Sequence, residues 1–136
     1  MSKLQKMIRN NENKFEIIGK IPNTAILQAE HTLGINFGTS LKNLMLNYGC
    51  ISYEYFEIFG LGVNKTSHLN IVSQTLDLRK NSLPNKYIVF LNLGDGHYAV
   101  TDNNNKVYEF SINQEKALML LNNSFDDYLV NLFNNC

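Results

Sequence analysis

Any chemistry this chain performs must draw on two cysteines, three histidines and a scatter of carboxylates. Cys50 is the first candidate. Paired with His31, His68 or His97 it could serve as a nucleophile, given a depressed pKa and a base within hydrogen-bond reach. No cysteine-nucleophile signature surrounds it, and it falls where a helix gives way to a strand. A buried structural thiol is the stronger reading, because free cysteine is among the most buried residue types. The same histidines and cysteines could ligate zinc, but no paired-cysteine knuckle and no helix with two histidines one turn apart occurs. His31, after Glu30 on an amphipathic helix, reads as solvated. His97, opening a strand beside a turn, reads as a surface hydrogen-bonder, and His68 sits at a helix start.

The remaining signatures also lack their defining parts. Asp95 and Asp102, with Asn103, Asn104 and Asn105, suggest a calcium loop, yet the twelve-residue pattern with a central glycine and a terminal glutamate is missing. Turn formation accounts for these residues without a cation. Gly60-Leu61-Gly62 is too short to cradle a phosphate and no lysine-bearing helix start follows it. Glu54 and Glu57, three apart on one strand, face opposite sides and cannot cooperate as acid and base. The expectation is no catalytic residue, no cofactor and no metal. What remains is a surface of carboxylates among tyrosines, a mixture suited to recognising a protein face. Glu54, Tyr55, Glu57, Asp95 and His97 are the candidate contacts, because they lie on or beside the predicted sheet and its turns.

The elements that must position these residues centre on Tyr87 to Phe110. Tyr87-Ile88-Val89-Phe90-Leu91 is a near-continuous apolar run, as in a strand covered on both faces. Gly94-Asp95-Gly96 offers a tight turn, His97 to Thr101 a second strand, Asp102 to Asn105 a second turn, and Val107 to Phe110 a third strand. Upstream, Leu4, Met7 and Ile8 mark a short helix, and Phe15 to Ile18 a small edge strand. Asn23 or Thr24 caps a helix bearing Ile26, Ala29 and Leu33, which Gly34 stops. Ser40 opens another, with Leu41, Leu44, Met45 and Tyr48, closed by Gly49. Tyr53 to Phe59 reads as one strand ending in the Gly60-Leu61-Gly62 turn. Thr66 or Ser67 caps a helix with Leu69, Val72, Leu76 and Arg79, broken before Pro84. Ser124 caps a last one holding Phe125, Tyr128, Leu129 and Leu132. The fold class is therefore α+β: one domain over 1–136, a mostly antiparallel sheet with a meander in its C-terminal half, flanked by about four helices. Residues 1–22 form an N-terminal extension packed on it.

Composition narrows the partners. Twelve basic and twelve acidic residues give a formal charge of zero, so no bulk electrostatic drive toward nucleic acid or an anionic membrane exists. No apolar run approaches the ~20 residues of a membrane span, and MSKLQKMIRNNENK lacks the apolar stretch of a signal peptide. Two distant cysteines build no disulfide framework, which fits a reduced, cytoplasmic protein.

The order of these signals resembles a known family. Ile26 to Gly34 is similar to the "I…AE…LG" opening of the SUKH superfamily, the Smi/Knr-type domain. Leu41 to Gly49 is similar to its "Y..fL..yG" helix, and Glu57 to Gly62 to its "EI.GLG" strand and turn. Thr75 and Arg79 followed by Leu83-Pro84 resemble its "T…R…LP" segment. Asn92 to Gly96 with Tyr98, Asp102 and Val107-Tyr108-Glu109 resembles its "n.GDG.y..d…vye" meander. The match runs from about Asn23 to Leu132, with one departure: Asn36-Phe37-Gly38 stands where the family carries Leu-Pro. The resemblance implies an α+β domain without a catalytic centre. Bacterial members look like immunity proteins that bind a cognate polymorphic toxin, commonly a nuclease or deaminase, and occlude its active site. Fungal relatives look like regulatory scaffolds, so a non-catalytic regulatory module is the alternative, and a hydrolase or transferase using Cys50 a distant third. Monomer and homodimer both remain open, since exposed edges of the meander could pair or be covered by the N-terminal segment.

Overall fold

The computed structural model describes residues 2–112 and 118–135. Five helices and two antiparallel sheets share a single apolar core, so the α+β class holds. Helix α1 (Lys3–Asn10) is closed at its start by a reciprocal box, Ser2 Oγ accepting from the Gln5 N–H and Gln5 Oε1 from the Ser2 N–H. Its Leu4 and Ile8 are buried, and the helix packs on the C-terminal one. Strand β1 (Phe15–Ile17) then pairs with β2 (Ile51–Tyr53), which pairs with β3 (Phe56–Ile58), a three-stranded sheet with β1 at its edge.

Between β1 and β2 lie α2 (Asn23–Leu33) and α3 (Thr39–Tyr48). Ile26, Ala29 and Leu33 are buried on α2, and Gly34 ends it at φ 69°. No side chain among the described residues caps α2, however: Pro22 occupies the cap position at φ −75°, the value its ring imposes. Helix α3 starts at Thr39, one residue earlier than Ser40 suggests, with Gly38 in the cap position, and its capping side chain is supplied from far away (below). Helix α4 (Ile71–Arg79) begins later than expected. Asn70, not Thr66 or Ser67, is its cap, with Oδ1 accepting from the Ser73 N–H at 3.0 Å. Its buried face is Ile71, Thr75 and Leu78 rather than Val72 and Leu76. The slightly polar threonine is inside because it has a partner there: Thr75 Oγ1 accepts the Val89 N–H at 3.2 Å.

The meander forms as the sequence implies, as β4 (Ile88–Gly94), β5 (His97–Thr101) and β6 (Val107–Ser111). Ile88 to Leu91 are all buried, because α4 packs on β4 while Phe90 stacks edge-on against Phe125 and Tyr128 of α5 (Phe125–Asn134). Gly94 pairs with His97 across a two-residue turn in which Asp95 (φ 56°) and Gly96 (φ 81°) are both left-handed, the hairpin geometry that matches strand twist. Two features depart from the sequence reading. A fourth strand, β7 (Met119–Asn122), extends the sheet beyond β6; its short Met-Leu-Leu run has no alternation to announce it. Tyr53 to Phe59 is not one strand but the β2–β3 hairpin, with Glu54 and Tyr55 as its turn. No glycine or asparagine signals that turn, since Glu54 itself takes the left-handed conformation at φ 52°.

The sheet edges are accounted for separately. The edge of β4 away from β5 is closed by Thr75 and by the Phe59 N–H donating to the Phe90 carbonyl at 2.9 Å, which also ties the two sheets together. The N-terminal segment covers neither edge of the meander; β1 joins the other sheet.

Candidate functional site

Three of the five candidate contacts fall on one hairpin. Glu54 and Tyr55 form the β2–β3 tip and Glu57 lies on β3. Register places Glu16, Ser52 and Glu57 in a row across β1, β2 and β3 on the face opposite Phe15 and Tyr53. Glu57 Oε2 meets His68 Nε2 at 3.0 Å, so His68 is a hydrogen-bond partner of this row, not a helix-start residue. Beneath, Phe15, Tyr53 and Phe133 form an aromatic cluster with centroids 4.8 to 5.3 Å apart, which anchors the hairpin's base to α5. The tip is the opposite: Tyr55 is 94 % exposed. A rigid base therefore carries an unsupported tyrosine. Because Glu54 is in the turn, its orientation relative to Glu57 is not set by strand alternation.

Asp95 and His97 belong to the other sheet. Among the described residues no hydrogen bond or ion pair joins them to the hairpin. His97 is half-buried, with Nδ1 2.7 Å from Ser111 Oγ and 3.4 Å from Glu109 Oε2. Serine, histidine and glutamate together invite comparison with a hydrolytic triad. The geometry does not support one: both oxygens address the same ring nitrogen, whereas a relay needs the nucleophile on one nitrogen and the carboxylate on the other.

Cys50 is buried, its Sγ directed at the carbonyls of Leu61 (3.3 Å) and Leu69 (3.7 Å). Burial pushes the thiol up to about 11, outweighing a stabilising hydrogen bond from the Gly60 backbone. A nucleophile needs the reverse shift. In a Cys136→Ser variant, Cys50 should react with a disulfide reagent at pH 8 at least ~100-fold more slowly in the native protein than in urea, the factor that two pKa units remove from the thiolate fraction. Comparable rates in the two states would place the thiol at the surface. Among the described residues no cluster of three or more histidine, cysteine, aspartate or glutamate side chains could hold a metal.

Several side chains that no local pattern announces organise the fold across long distances. Glu30, the neighbour of His31, is buried; its Oε2 accepts the Phe37 N–H at 2.7 Å and lies 3.7 Å from Lys42 Nζ. Glu30 thus fixes the Asn36-Phe37-Gly38 loop that replaces Leu-Pro, and Phe37 is buried there. Asn105 Oδ1 accepts the Ser40 N–H at 3.0 Å while Asn105 Nδ2 donates to Thr39 Oγ1 at 3.1 Å, so the β5–β6 turn caps α3. Asp102 holds that turn by accepting from the N–H groups of Asn104 and Lys106. Gly49 and Gly60 meet backbone to backbone, and a Cβ on Gly60 would overlap the Gly49 carbonyl oxygen. The motif residues therefore converge on structure.

Two antiparallel sheets and five helices among the described residues define a small α+β domain. A family model described as SMI1-KNR4 cell-wall (SUKH_5) matches residues 1–134, and the chain belongs to that family. The family is in general non-catalytic. A crystal structure of a protein from Pseudomonas syringae pv. tomato superposes with a TM-score of 0.78 at 14% identity, covering 97% of this chain and 99% of that one. At that identity the likeness is one of fold. No curated protein matches the chain. No helix among the described residues is long and apolar enough to cross a membrane.

Proposed function

We propose that this chain is an immunity protein that binds and neutralises a cognate bacterial polymorphic toxin by occluding its active site, in the cytoplasm of the producing cell. The observation that carries the reading, beside family membership, is Tyr55: a large amphipathic side chain 94 % exposed on a hairpin whose turn strains a glutamate. An aromatic in that position contributes nothing to the core, and backbone strain of ~1–3 kcal/mol concentrates at functional positions. Glu54 and Glu57 flank it, favouring a partner face that carries cations, as the substrate clefts of nucleases do. Asp95 and His97 form a second, separate contact candidate. The zero formal charge argues for a shaped local contact over broad mimicry of a polyanion.

Co-expression with the toxin encoded beside it should restore growth and yield a stable stoichiometric complex. Tyr55→Ala should leave the melting temperature unchanged while weakening that complex by about 30-fold or more, the ~2 kcal/mol that marks a binding hot spot. Titration calorimetry measures this, and a variant that binds as tightly as the parent removes Tyr55 from the interface. The family description mentions the cell wall, which favours a second reading: a non-catalytic regulatory scaffold. A deletion strain with a cell-wall defect that persists after the neighbouring toxin is also removed would select it.

A further inference from the structure

Away from the β2–β3 hairpin, helices α2 and α4 enclose an open groove of about 700 Å³, floored by Leu61. Its walls carry Leu27 from α2 and Val72 and Leu76 from α4. Leu27 is 54 % and Leu76 37 % exposed, so two leucines face water across one cleft, each on a helix that already buries a separate face in the core, Ile26, Ala29 and Leu33 on α2 and Ile71, Thr75 and Leu78 on α4. The size is within the usual range of binding clefts. No lining residue is acidic, whereas Lys65 and His31 both line the groove. Lys65 forms no ion pair among the described residues. Three of the other polar lining residues are occupied internally: Ser73 Oγ donates to the Lys65 carbonyl at 2.6 Å, Asn70 Oδ1 accepts from the Ser73 N–H, and Thr32 Oγ1 donates to the Gln28 carbonyl. The groove thus offers apolar walls and an unpaired lysine, and among its lining residues no negative charge to match it.

We infer that the α2–α4 groove binds an acidic amphipathic helix of a partner protein, its apolar side chains between Leu27 and Leu76 and a carboxylate against Lys65. A helix is the fitting form because it satisfies its own backbone. An extended peptide docks on a strand edge or, as polyproline II, in a groove lined by aromatic rings, and these walls offer neither. A second copy of this chain is disfavoured by charge, since two-fold pairing of the groove with itself would bring no acidic lining residue to meet Lys65. The groove shares no lining residue with the hairpin, so this inference and the toxin reading stand or fall separately.

The test is selection of randomised 16-residue peptides by display on the immobilised full-length chain. Enriched peptides should place apolar residues at i, i+3 or i+4, and i+7 with an adjacent acid. They should become helical on binding and shift the amide resonances of Leu27, Val72 and Leu76. Leu27→Glu and Leu76→Glu alter exposed positions, so the fold should survive, as a thermal melt verifies. Each should weaken the selected peptides by roughly tenfold or more. Selection repeated on Lys65→Glu should lose the acidic preference. Peptides that bind Leu76→Glu undiminished, an acidic preference that survives Lys65→Glu, no enrichment at all, or a concentration-dependent dimer abolished by Leu27→Glu would each overturn the proposal.

Discussion

Gly60→Ala is expected to be the most damaging single-methyl change in this protein, costing more than ~3 kcal/mol, beyond the usual range for overpacking. The reason is where the methyl would go. It would overlap the Gly49 carbonyl oxygen, with the Gly49 carbonyl carbon at 3.0 Å and Cys50 Sγ at 3.3 Å also in its way. Backbone cannot rotate aside as a side chain can. Gly60 is also pinned on both sides: its N–H donates to the Leu69 carbonyl and its carbonyl accepts the Ile71 N–H, each at 2.9 Å. Relief would require moving β3 away from the end of α3 or breaking the bridge that starts α4. Set against a total stability of about 5–15 kcal/mol, the variant should unfold at markedly lower urea or collect in the insoluble fraction. Gly34→Ala is the control. It too adds one methyl, at φ 69°, but into open space, so its cost is confined to ~1–2 kcal/mol of left-handed strain. A Gly60→Ala protein as stable as the Gly34→Ala protein would show that the two backbones are not in contact.

Truncating Phe90 should rank next. The ring is fully buried and packs edge-on against Phe125, centroids 4.8 Å apart, and against Tyr128 at 5.9 Å. It is the bolt between β4 and α5, in the strand whose carbonyl also receives the hydrogen bond from β3. Phe90→Ala removes the transfer energy of the ring and leaves a cavity walled by elements held elsewhere. The expected loss is about 3–5 kcal/mol, or roughly 10–20 °C in melting temperature for a domain of this size. Leu120→Ala on the outer strand, where the side chain is 50 % exposed, should stay within about 0.5 kcal/mol. Calorimetry on the pair separates them; equal melting temperatures would mean that Phe90 is not central to the core.

The candidate surface was only partly legible in advance. Tyr55 and Glu57 were singled out as members of a strand, yet what distinguishes Tyr55 is that it sits on a hairpin tip. The error has one source: turns are recognised by glycine, asparagine or proline, and here a glutamate adopts the left-handed backbone because the pairing of Tyr53 with Phe56 imposes it. His68 was misplaced for a related reason. Its role depends on Glu57, 11 residues away on a strand that had not been separated from its neighbour. The α2–α4 groove left no trace in the sequence, because Leu27 and Leu76 look like ordinary members of amphipathic helices until the buried face of each helix is known.

What the chain determined by itself is whatever is decided within a few residues. Gly34 and Ser124 end and begin their helices, Asp95-Gly96 turns β4 into β5, and the apolar run of Ile88 to Leu91 places that strand inside. Periodicity and backbone preference act at that range, so they can be read without a partner. Only the tertiary structure decided that Asn105 caps a helix 65 residues away, that Glu30 is buried to hold the Phe37 amide, and that Gly60 is required against Gly49. Each of those depends on which surfaces the core brings together, and the free energy that selects them is shared among residues no local pattern connects.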